Sequence, residues 1–178
     1  MRKLSSLRTL ITQCVPELAR DPERLLIMGD DGRMVATGTP SLSFEYRYTA
    51  YITVLDYTGH ADALMVPLLA WLKVNQPELM DNPAKRENAV RFAINPLAAG
   101  AVDIGIEVNL TERAIVKTDP GHPTRLTITH PPEPGLVGLD SFTGADIATP
   151  EHWELWFKDQ KLAEWNLLPP PFKQAFNL

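Results

Sequence analysis

Residues 41–80, SLSFEYRYTAYITVLDYTGHADALMVPLLAWLKVNQPELM, limit the fold more tightly than any other stretch of the chain. Over residues 43–57, Phe44, Tyr46, Tyr48, Ala50, Ile52 and Val54 share one face of an extended segment, and Ser43, Glu45, Arg47, Thr49, Tyr51 and Thr53 share the other. That period of two is the mark of a half-buried strand. At roughly 3.3 Å per residue it would run on the order of 45 Å, longer than a compact domain of 178 residues needs. Such a strand either bends at a bulge or protrudes towards a neighbour. Thr58-Gly59 supplies a turn, and the segment after it carries Leu64, Met65, Val66, Leu68, Leu69, Trp71, Leu72 and Val74. A helix apolar nearly all round must be covered by the sheet on one side and by something else on the other. Pro67 places its start near Asp62 to Leu64, and Pro77 marks its end.

Around this centre the pattern predicts an α+β fold: an antiparallel, partly mixed sheet packed by two main helices. Leu4, Leu7, Leu10, Ile11, Cys14 and Leu18 follow helical spacing, interrupted at Pro16. Residues 24–30 and 33–37 flank Asp31-Gly32, a short-hairpin signal. Val90, Phe92 and Ile94 alternate, as do Val102, Ile104, Ile106, Val108 and Leu110, so 90–94 and 102–110 are expected to pair antiparallel. After Thr118 the composition turns to Pro and Gly, and only 125–129 has strand character. Structure returns at 153–165, WELWFKDQKLAEW, as an aromatic β-hairpin. The expected organisation is an α+β domain over 1–118, a linker or arm over 119–150, and the hairpin with its tail over 151–178.

Composition narrows the function classes. A 44% hydrophobic, 22% charged chain has ample material for a core. The net charge of −5 comes with Lys and Arg scattered singly, without the basic patch that nucleic-acid binding calls for. The N-terminus begins basic, yet Ser, Arg, Thr and Gln interrupt its apolar run, which argues against a signal peptide. No stretch approaches the apolar length of a membrane span. The single cysteine, Cys14, lies on an apolar stripe and reads as a buried thiol, so an internal disulfide is not available.

Reactive constellations are scarce. The sequence holds no P-loop, G-x-G-x-x-G or G-x-S-x-G pattern. Asp56, His60 and Asp62 crowd the strand-to-helix turn, where a metal or acid/base site is conceivable; equally, Asp62 caps the helix and His60 is exposed. His122, His130 and His152 read as solvated loop residues. Glu45 and Arg47 read as an ion pair on one strand face, and Asp103 and Glu107 as a solvent-facing row, with Glu112 beyond them. Trp153, Trp156, Phe157 and Trp165 form the aromatic group of the hairpin. They either pack back on the main sheet or dock on a neighbouring subunit.

With these motifs in place, the chain resembles the tail completion protein R (GpR) family of temperate, contractile-tailed bacteriophages. The matching strings are SLSFEYRYT at 41–49, VLDYTG at 54–59, VPLLAWL at 66–72, NQPELM at 75–80 and VDIGIEVNLTER at 102–113, with ELWF and LAEW in the C-terminal hairpin. The stretches 119–150 and 167–178 match less well. The resemblance implies a structural virion protein, a tail terminator that caps the head-proximal end of the tail tube and completes the tail for joining to the neck or head. A homo-hexameric ring follows from tail symmetry, with the tube protein, and in addition the sheath and neck or head-completion proteins, as partners. It implies no enzyme activity, cofactor, metal, membrane or nucleic-acid sequence recognition. The interface residues expected are Asp30, Asp31, Gly32, Arg33, Glu45, Arg47, Trp153, Trp156, Phe157 and Trp165. The alternatives are a different neck or head-completion connector, and a small metal-dependent hydrolase built on Asp56, His60 and Asp62.

Overall fold

The computed structural model describes residues 1–36, 38–131, 133 and 151–167. Most of the expected linker, including 134–150, and the tail 168–178 lie outside the described residues. The fold is α+β: a curled, half-barrel antiparallel sheet with a few helices.

Helix α1 (Arg2–Cys14) stops before Pro16, which opens the short α2 (Pro16–Arg20) as its first residue. Proline lacks the N–H that a helix interior needs, but loses nothing in the first turn. Strand β1 (Leu25–Ala36) follows and pairs antiparallel with β2 (Phe44–Tyr57). Then come α3 (Asp62–Asn75), α4 (Pro77–Asp81) and α5 (Pro83–Arg86), each shorter piece again opening on proline. Strand β3 (Val90–Pro96) and the long β4 (Val102–Asp119) pair antiparallel with Val90 opposite Val108, the pairing that alternation predicted. The sheet order is β1-β2-β4-β3. Strand β5 (His122–Thr129), inside the expected linker, pairs with the far end of β4.

Two aspartates explain how such long strands stay in register. Asp31-Gly32 does not make the expected hairpin. The strand continues through it, and pairing with β2 shifts by one residue between Asp30 and Arg33. Asp31 has φ 52°, so the left-handed residue is absorbed as a bulge rather than a turn. A tight turn there would have ended β1 halfway along β2; the bulge keeps the ladder running to Ala36 opposite Phe44. On β2, Asp56 at φ 49° makes a second bulge between Val54 and Tyr57, and this is how the over-long strand bends.

The core lies between one face of the sheet and the helices. Ala50, Ile52 and Val54 of β2 and Ile104, Ile106, Val108 and Leu110 of β4 are buried beneath Leu7, Leu10 and Ile11 of α1 and Leu64, Leu68 and Leu72 of α3. A second cover for α3 comes in part from α1 and from a hairpin of the same chain, while Val66 and Leu69 stay exposed. Strands β6 (Glu151–Phe157) and β7 (Gln160–Leu167) pair with each other, and β7 lies against α1 and α3, burying Ala163 and Trp165. The aromatic hairpin therefore packs on the helices and not on the main sheet.

Candidate functional site

Among the described residues, an extensively connected polar group surrounds Glu112. This residue falls on the same face of β4 as Ile106, Val108 and Leu110 and is buried under the start of α1. Its carboxylate accepts the backbone N–H of Arg2 at 2.9 Å and of Lys3 at 3.3 Å, and the Tyr48 hydroxyl donates to it as well. The first N–H groups of a helix have no internal partner and carry its positive dipole end, so a fixed anion there anchors the helix. Burial, with the Glu112 hydrogen bond and charge beside it, pushes the Tyr48 phenol well above its ordinary value. Lys3 Nζ donates to Gln76 Oε1 at 2.7 Å and to Glu133 Oε1 at 2.9 Å. Gln76 accepts the Thr111 N–H at 3.1 Å, and His130 Nδ1 lies 3.1 Å from the Arg113 carbonyl. These side chains hold the edge of β4 between the stretches paired with β3 and β5. The network joins β2, β4 and the residues that follow β5 to α1, and its carboxylate is committed to three donors. It is an anchor.

The residues expected at interfaces fall into two groups. On the outer sheet face, Arg33 lies directly opposite Arg47, and Asp30 opposite Thr49. Glu45 pairs with Arg47 at 2.6 Å. Register alone thus gathers Asp30, Arg33, Glu45 and Arg47 beside the Asp31-Gly32 bulge, all but Glu45 exposed. The second group is on the other side, on the hairpin that covers the helices. There Trp165 is buried inside its own chain, Trp153 is half-buried, and Trp156 and Phe157 are exposed.

The turn residues are not drawn together as a metal centre. His60 Nδ1 accepts the Asp62 N–H at 3.2 Å and lies 3.4 Å from the Asp62 carboxylate, so the histidine ring serves the start of α3, whose N-cap residue is Ala61 rather than the expected Asp62. Asp56 sits in its bulge with its N–H bonded to Asp103 at 3.0 Å. Among the described residues, the ligand atoms that do converge are those of His152, Glu154 and Glu164, within 4.8 Å of one another on the exposed hairpin. The Lys161 ammonium lies between the two carboxylates, 3.3 Å from Glu154 and 2.8 Å from Glu164, and supplies the positive charge there. Those hydrogen bonds raise the Lys161 pKa, and bonds from Trp156 and Lys161 lower that of Glu154.

Sequence reasoning missed Glu112 and Gln76. The signal for Glu112 was present: by alternation, residue 112 belongs to the apolar face of β4. A carboxylate there needs buried donors, and helix α1 supplies them. Gln76 gave no signal, because its role depends on where β3 begins, opposite Val108, which leaves the Thr111 N–H on the edge of β4 for it to bind.

The described surface carries exposed apolar residues on the outer strands, Met28, Phe92 and Ile94 among them, beside a charged bulge, features of the class of proteins that present docking surfaces rather than a reactive centre. The particular family is identifiable. The chain belongs to the P2 phage tail completion protein R (GpR) family, whose model matches residues 1–134. It is 39% identical over 151 residues to Tail completion protein R of Escherichia phage P2, an alignment that covers 84% of this chain and 97% of that protein. No solved structure matches the chain.

Proposed function

We propose that this chain is a structural protein of a phage tail that closes the head-proximal end of the tail tube and completes the tail for joining to the neck and head. The observation that carries this reading is the family membership, extended by the alignment over nearly the whole of a protein named for tail completion. The working form is a homo-hexameric ring in the virion, assembled in the host cytoplasm. Its partners are the tube protein below and the sheath and neck or head-completion proteins around and above. The body over 1–118 forms the ring, and the remaining chain works at its periphery. A closed ring requires heterologous contacts, each subunit presenting two different surfaces.

In this reading, one ring face seats on the last tube ring through the charged bulge at Asp30, Asp31, Gly32 and Arg33 with Glu45 and Arg47. The exposed Trp156 and Phe157 serve a different contact, because they sit on the opposite side of the sheet. Occupying the tube end stops further addition. The test is to add purified protein to tail tubes while they elongate and to measure tube length and end decoration by electron microscopy. Shortened, end-capped tubes are expected. A triple variant, Asp30→Lys with Asp31→Lys and Arg33→Glu, should lose capping while keeping its fold. Unchanged tube lengths with the unmodified protein would refute the terminator role and leave the neck-connector alternative.

A further inference from the structure

We propose that neighbouring copies of this chain join edge to edge, strand β3 of one copy adding to the first half of β1 of the next, with Phe92 and Ile94 seated in the groove between α1 and β1. The inference rests on the ring reading above for closure and names the two surfaces that such a ring would use.

Four independent features of the chain meet in this arrangement. The first is strand direction. Among the described residues, β1 pairs only with β2 and β3 only with β4, so the main sheet ends in two open edges. All its pairings are antiparallel, so β3 runs opposite to β1. Copies related by rotation about an axis along the strands keep their directions, and β3 of one then meets β1 of the next antiparallel, continuing the ladder.

Length agrees as well. The register shift between Asp30 and Arg33, with its charges, breaks the even outer edge of β1 although pairing with β2 resumes beyond it, and bulges and charges of this kind limit how far an edge can take a further strand. The stretch it leaves, Leu25–Gly29, is a partner for the short β3, which closes on Pro96, a residue without an N–H. Arg8 already holds the Leu25 carbonyl at 3.2 Å and so marks where the stretch begins.

The third feature is shape. Phe92 and Ile94 point to the helix-covered face, opposite Ile106 and Ile104, but the helices do not reach them, and they are exposed. On that same face, beside β1, lies a groove of about 690 Å³ whose apolar lining is Leu4, Leu18, Ala19, Pro22 and Ile27, with polar residues of α1, Arg8 among them, making up the rest. Adding β3 to β1 brings this apolar pair over that groove. The remaining feature is charge. Residues 21–33 carry Asp21, Glu23, Asp30 and Asp31 against Arg24 and Arg33, whereas residues 83–97 carry Lys85, Arg86 and Arg91 against Glu87. The edges are opposite in sign, which favours β3 meeting β1 and disfavours each edge meeting itself.

The test is disulfide trapping in the full chain. Met28 and Ala93 are both exposed and both on the outer face. Met28→Cys is combined in turn with Arg91→Cys, Ala93→Cys and Asn95→Cys to sample three registers, since a bridge needs Cα atoms about 4.4–6.8 Å apart. The native Cys14 is buried in the core. Mild oxidation, read on non-reducing gels and by native mass spectrometry, should give a ladder of multimers for at least one double variant and no dimer for any single variant. A ladder that closes at six supports both the edge contact and the ring. A ladder that closes at another number supports the edge contact and removes the sixfold ring. Hexamers without a ladder in any register overturn the edge contact and leave the ring reading standing. Dimers from a single-cysteine variant, or the absence of both ladder and hexamer, overturn the edge contact.

Discussion

Ile104 and Ile94 sit directly opposite each other on β4 and β3 and point to the same face of the sheet. Ile104 is fully buried; Ile94 is 40% exposed, and its neighbour Phe92, opposite the buried Ile106, is 60% exposed. One strand separates core from surface. Residue type does not explain the contrast, because both strands carry the same alternation. The reach of α1 and α3 explains it: the helices cover β2, β4 and the start of β1, and leave Phe92 and Ile94 of β3 bare. The centre of the sheet is finished within one chain, whereas its edges keep apolar residues that a lone subunit has no use for.

Substitutions on the two sides should separate stability from assembly. The largest effect is expected at Leu72 of α3, fully buried in the core. Leu72→Ala should cost about 3 to 4 kcal/mol, the range for leucine truncation in a packed core, measured by urea denaturation of the isolated protein. A loss below about 1 kcal/mol would mean that the centre is as loosely covered as the edges.

Next is the anchor. Glu112→Ala strands two helix N–H groups and the Tyr48 hydroxyl beneath α1. About 2 kcal/mol should be lost, the usual penalty for buried polar groups left unpaired. Hydrogen exchange should report faster opening of α1 than of β4; equal protection of the two would show that α1 is held by packing alone.

Alkaline pH probes the same centre more gently. Burial pushes the Cys14 thiol up to about 12 and the Tyr57 phenol up to about 12, and Tyr48 is raised further. Each group is neutral in the fold and ionises more readily when unfolded. Folded values above unfolded ones mean that the stabilisation is complete below about pH 9 and is lost as pH rises from there towards 12. Melting temperature followed by circular dichroism should fall across that window. Cys14 should react with thiol reagents at pH 8 only after denaturant is added; fast reaction of the native protein would place it outside the core.

The smallest effect on stability is expected at the edge. Phe92→Ala should change the free energy of unfolding by no more than about 0.5 kcal/mol, as for an exposed residue that touches little. The same variant should weaken self-association measured by sedimentation. If it unfolds the protein instead, Phe92 belongs to the core and the contrast between centre and edge disappears.

Much of this was readable from residue order. Alternation over 43–57 and 102–110 set two central strands and their buried faces, and Pro16 and Pro77 set helix boundaries where the structure has them. The residues proposed for interfaces were legible only as residue types. Register then brought Arg33 opposite Arg47, which spacing along the chain cannot show. Trp165 was drawn into its own chain's core, while Trp156 and Phe157 stayed outside.

Asp31-Gly32 shows where the boundary lies. By sequence the pair is a turn, since both residues tolerate a left-handed backbone. The structure keeps that local conformation and changes its consequence, because the long β2 offers a partner on both sides of it and a bulge preserves more pairing than a hairpin would. Local sequence determined the backbone angles, the strand faces and the helix ends, for these depend on neighbours a few residues away. Tertiary structure decided which apolar residues are covered, which carboxylate anchors a helix and which edges remain open, because each of those depends on how far one element extends over another.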